Sequence, residues 1–143
     1  MAIEVGAFVL TNLPFGPPGR PDVPGPKPHI GYCLAIRNNG QGTELILAYT
    51  SSGAWRPAGQ SVPIGVIEFD REAARALKQI PFYIDLRILA RIPLSRAWLP
   101  RLGAPDDGVI AIAGIVLRKR IATEAETSAA RRSEVIQVRG VRR

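Results

Sequence analysis

The run His29-Ile30-Gly31-Tyr32-Cys33-Leu34-Ala35-Ile36-Arg37, the pentapeptide Asn38-Asn39-Gly40-Gln41-Gly42 and the run Thr43-Glu44-Leu45-Ile46-Leu47-Ala48-Tyr49 decide the fold. Both runs are apolar and strand-like, and the residues between them tolerate positive φ, so the segment predicts an antiparallel hairpin. Working outward, Val5–Leu10 and Val62–Ile67 read as further short strands. Phe82–Ile92 nearly alternates, with Tyr83, Asp85 and Arg87 set against Ile84, Leu86 and Ile88, which suits a strand with one wet face. Pro14–Pro28 holds too much proline and glycine for a ladder or helix and reads as a long loop. Thr50–Pro63 is loop-like around Trp55.

Asp70 is placed to cap a helix over Arg71–Gln79, and Ser95 to cap a short turn through Trp98. Gly108–Leu117 suits either a strand or the start of a helix. A helix is expected over about 114–132, followed by a loose basic end. Short strands, one long loop and few helices predict a mainly β or α+β domain of barrel type.

The 143 residues are enough for one core and too few for two. A formal net charge of +7 draws polyanions, so RNA, DNA or an acidic protein is the expected partner. Eight basic residues against three acids from Arg118 to Arg143 place +5 of that excess at the C-terminal end. Cys33 is the only cysteine, which excludes an internal disulfide and reads as a buried small hydrophobe. Glu4 stands where a signal peptide would be basic, and no apolar run approaches the length of a bilayer span, so the expected setting is cytoplasmic, without membrane.

Pro24-Gly25-Pro26-Lys27-Pro28-His29-Ile30-Gly31-Tyr32-Cys33-Leu34 resembles the second-strand motif of the PemK/MazF family of toxin endoribonucleases. There a Pro-Gly-Pro-Lys-Pro lead is followed by Arg-Pro and an apolar strand. Leu47-Ala48-Tyr49-Thr50-Ser51-Ser52 is similar to the family's third strand with its terminal hydroxyls. Phe82-Tyr83-Ile84-Asp85-Leu86-Arg87, then Ile92-Pro93 and Trp98, is similar to a later strand and turn. The resemblance runs in order from about Val5 to Leu102. It implies a small SH3-like barrel over residues 1–103 with short helices; residues 104–143, beyond the resemblance, read as a helical, basic C-terminal extension. It also implies a homodimer, single-stranded RNA as substrate, cleavage without metal or other cofactor, and an antitoxin partner.

Such cleavage needs a group to deprotonate the 2′-OH, one to protonate the leaving oxygen, and donors on the phosphate. His29 stands where the family keeps an arginine, and its imidazole can act as acid or base near neutral pH. Thr50 and Ser51 fall where the family places a catalytic hydroxyl; they can equally just form a turn. Arg20 and Lys27 in the long loop are candidate phosphate contacts, and Trp55 and Trp98 are aromatics that could stack bases or fill a core. Asp85 and Arg87 share a strand face, either as a substrate-binding pair or, more simply, as a solvated ion pair. The nucleotide P-loop, the Gly-x-Gly-x-x-Gly turn and the His-Glu-x-x-His zinc motif are absent, as is a second histidine for a His/His ribonuclease pair. Two readings stay open: a toxin-like endoribonuclease, and a barrel of the same ancestry that binds nucleic acid or builds an assembly without cutting.

Overall fold

The computed structural model describes residues 1–14, 24, 25, 28–51, 65–68, 83–130 and 136–139. Among these residues seven strands and one helix follow in chain order: β1 Ala7–Thr11, β2 His29–Asn39, β3 Gly42–Ser51, β4 Val66–Glu68, β5 Tyr83–Pro93, β6 Val109–Ile112, α1 Ile115–Ala130 and β7 Ile136–Arg139. One sheet holds all the strands in the order β4-β5-β3-β2-β1-β6, with β7 also on β5. Every pairing is antiparallel except that of β7, which runs parallel to β5.

The expected hairpin is present as β2 and β3, paired from Tyr32 opposite Ala48 to Asn39 opposite Gly42 with one register shift between Cys33 and Ala35. Its turn is closed by side chains. Gln41 N donates to Asn39 Oδ1 at 2.7 Å, Thr43 Oγ1 donates to Asn38 Oδ1 at 2.7 Å, and Gly42 takes a φ of +123° that a side chain would oppose.

The sheet carries a core on each face. One cluster joins Phe8, Ile30, Tyr32, Ala48, Ile84 and Leu86 to Ala113 and Ile121. The rings of Phe8 and Tyr32 meet edge to face at 5.0 Å. The opposite cluster joins Val9, Cys33, Leu45, Leu47, Ala90 and Ile92 to Trp98 and Leu99 in the turns that follow β5. Helix α1 covers the first face through Leu117, Ile121 and Ala125, which recur every four residues along one stripe. Glu124 anchors it further, accepting from Gly65 N at 2.9 Å just before β4.

Two sequence expectations change here and one open reading resolves. The strand expected over Phe82–Ile92 has no wet face in its first four described residues: Tyr83 and Asp85 are buried, as are Ile84 and Leu86, the last two in the cluster beneath the helix, while Arg87 and Arg91 farther along stay part-exposed. The loose basic end expected after residue 132 contains β7, paired from Ile88 opposite Ile136 to Arg91 opposite Arg139. The ambiguous Gly108–Leu117 stretch resolves as strand, break and helix, with Ala113 N bonded to Gly6 O at 2.8 Å where β6 ends. The helix expected over 114–132 is α1.

Among the described residues no strand joins β6 to the far side of β5, so the β-rich architecture is an open sheet with one helix where a closed barrel was expected. The helix expected over Arg71–Gln79 lies outside the described residues. No helix among the described residues is long and apolar enough to cross a membrane.

Candidate functional site

His29 is the first residue of β2, exposed, with Thr11 opposite it on β1. The surrounding backbone is fixed by a compact set of hydrogen bonds. Buried Thr11 donates through Oγ1 to Trp98 O at 3.0 Å, Asn12 N donates to the same oxygen at 2.7 Å, and Asn12 Nδ2 donates to Ala97 O at 3.2 Å. Gly25 N, in the long loop, donates to Asn12 O at 3.1 Å. The end of β1, the start of β2 and the turn carrying Trp98 are thereby one joined unit. That turn brings an exposed cation, Arg96, whose Nε donates to Leu102 O at 3.1 Å. Sequence reasoning passed over Arg96. The signal available to it was position alone, between the capping Ser95 and Trp98.

Thr50 lies on the neighbouring strand and its Oγ1 donates to Ile30 O at 2.6 Å, which commits the hydroxyl proton to the sheet. It stands opposite Ile84 and so shares the face of Ala48 and the helix-covered core. His29 belongs to the other face. A Cβ at Gly31 would meet Thr11 Cγ2 at 2.9 Å and Leu47 Cδ1 at 3.4 Å, and strand alternation puts residue 29 on that side too. Thr50 and His29 are therefore near neighbours in the ladder that alternate across it. Ser51 stands opposite Tyr83 and is described by its backbone alone.

Asp85 and Arg87 form a pair that is not the solvated one expected from sequence. Asp85 is 5% exposed. Its Oδ1 accepts from both the backbone N and the Nε of Arg87 at 3.0 Å, and its Oδ2 accepts from Arg87 Nη2 at 3.1 Å. The location explains the arrangement. Tyr49 pairs with Asp85 but Ala48 pairs with Leu89, so residues 86–88 are extra on β5 and the strand bulges there. Leu86 N turns to Gly65 O at 2.7 Å, and the Asp85 carboxylate takes the Arg87 amide that the ladder with β3 leaves over.

Trp98, at 2% exposure, is core, which settles its role as packing. Burial pushes the Cys33 thiol up to about 11, so it stays protonated and inert near neutral pH. Burial likewise raises the Tyr32 phenol to about 12, opposed in part by the nearby Arg118 charge, and raises that of Tyr49, whose hydroxyl donates to Pro14 O. Arg20, Lys27 and Trp55 lie outside the described residues. Among the described residues no three His, Cys, Asp or Glu side chains gather closely enough to hold a metal ion.

No family model matches this chain, and neither a curated protein nor a solved structure does.

Proposed function

We propose that this protein is a nucleic-acid-binding relative of the PemK/MazF barrels that engages single-stranded RNA at the His29 end of β2 without an efficient cleavage apparatus. The observation that carries the reading is the commitment of the Thr50 hydroxyl to Ile30 O, on the face opposite His29. In-line attack by a 2′-OH needs a base and an acid on the same phosphate, and that hydroxyl is turned away from the imidazole. The Asp85 carboxylate is likewise spent on Arg87, so it does not supply the missing base. What remains is an exposed imidazole, His29, at the start of β2 and an exposed guanidinium, Arg96, in the turn whose Trp98 carbonyl is bonded by Thr11 and Asn12, on a protein of net charge +7. These groups suit phosphate binding.

A second reading is favoured by the exposure of His29 itself. An exposed imidazole can serve as both acid and base in successive steps, giving slow cleavage without metal.

One experiment separates the two: purified protein incubated with a long single-stranded RNA in EDTA, following retention and cleavage together. Retention without cleavage, by the natural chain and by His29→Arg alike, is the outcome expected for the binding reading. Cleavage by the natural chain that falls about 10²-fold in His29→Ala, with loss of its pH inflection, would install the nuclease in its place. Absence of retention at low salt would remove both.

A further inference from the structure

We propose that the outer edge of β6 is a docking site for an extended, acidic segment of a partner protein, which adds to the sheet as a further strand. β6 is the terminal strand of the sheet order, and among the described residues nothing pairs with its outer side. Its sequence is Val-Ile-Ala-Ile, with neither a charge nor a proline to discourage pairing. Ile110 and Ile112 are 40% and 50% exposed. The chain then turns into α1 through Ile115 at 62% and Val116 at 79%. Four aliphatic side chains within seven residues are thus left in water, and among the described residues the only other exposed large apolar groups are Met1 and Val5 near the N-terminus, so the cluster marks an interaction surface.

The chemistry of this surface selects the occupant. Unpaired strand amides and carbonyls are matched by another extended backbone and not by lipid headgroups. Ile and Val offer no ring for a base to stack on, so single-stranded nucleic acid gains little from them. Lys119 and Arg120 are exposed and lie one helical turn beyond Ile115 and Val116, and the first turn of α1 contains no acid to neutralise them. The patch therefore ends in a cationic step. A second copy of this chain would bring its own +7 charge to that step, whereas a strand followed by carboxylates satisfies edge, apolar face and cations together. This proposal does not rest on the RNA reading.

The test uses the full chain and a labelled synthetic peptide of roughly eight residues, strand length, alternating Val and Thr and ending in a run of Glu; the control ends in Lys. Saturable anisotropy binding of the Glu peptide is expected, with slowed hydrogen exchange at the Ile110 and Ile112 amides. Affinity should fall at least about tenfold in Ile110→Lys and in the double variant Lys119→Glu/Arg120→Glu. Ile112→Lys provides a second edge variant should the first not fold, and circular dichroism melting confirms the fold of each. Lack of saturable binding, equal binding of the Lys peptide, or indifference to both edge variants would overturn the proposal. So would a concentration-dependent dimer in sedimentation that the edge variants abolish, since a second copy would then own the edge.

Discussion

Asp107 shows how much a single side chain can hold together. It sits at a φ of +53°, unusual outside glycine, and its carboxylate accepts from Ala2 N at 2.6 Å and from Gly103 N at 2.8 Å. Those backbone donors, the Ala2 amide first, lower its pKa below the ordinary 3.8. A depressed folded value means that the stabilisation is fully present above the unfolded value and is lost as pH falls through the folded one. The stability gap between the natural chain and Asp107→Asn should therefore be constant from pH 7 to pH 5 and should close progressively below about pH 3.8, as read from urea midpoints. At Asp85 the expectation concerns the pair. Arg87→Ala leaves a carboxylate 7% exposed with one remaining donor, while the lost guanidinium was 27% exposed, so the cost should be about 1–3 kcal/mol, below that of a fully buried pair. Adding Asp85→Asn to that variant should recover part of the loss; a double variant no better than the single one would show that the charge itself is not what burial penalises. Nothing in the sequence distinguishes this Asp from a solvated one, because its burial follows from a bulge three residues wide that only the pairing of β5 with β3 defines.

At the scale of elements, the hairpin was the most legible part of the molecule. Its turn chemistry is local, and Asn38, Asn39 and Gly42 act within five residues of one another. Helix α1 was legible for a similar reason, since helix formers and the four-residue spacing of Leu117, Ile121 and Ala125 are properties of one segment. Strand β6 was legible only as one of two alternatives, and β7 was not legible. Four residues each, they acquire their pairing from β1 and β5, which lie far off in the chain. The site divides in the same way. His29 stood out as the only histidine, whereas the turning of Thr50 away from it depends on register, which the sequence does not print. Because α1 touches the sheet chiefly through one fully buried residue, Ile121→Ala should cost about 2–5 kcal/mol, measured by chemical denaturation, and Ala122→Ser on the exposed side should be within about 0.5 kcal/mol of the natural chain. A loss below 1 kcal/mol at Ile121 would mean that the helix contributes little to the core.

For the whole molecule, charge and topology set the behaviour. If RNA is held at the His29 end, the salt dependence of its affinity should be carried by Arg96 and not by the helix. Arg96→Ala should flatten the slope of log affinity against log salt by about 0.7, the value for one single-strand phosphate, while Lys119→Ala leaves it unchanged. The reverse result would move the RNA to the face assigned above to an acidic strand. The pairing of β1 with β6 has a consequence of another kind. It sets Phe8 beside Ala111, and the Ala2–Asp107 bond spans 105 positions, so the sheet cannot acquire its β1–β6 edge until segments a hundred residues apart have met. Loop-closure entropy must be met before those contacts return anything, which predicts refolding in milliseconds to seconds and not microseconds. During that interval β1 and β6 both present bare edges, and the chain is most exposed to mispairing with its neighbours before its first and sixth strands find each other.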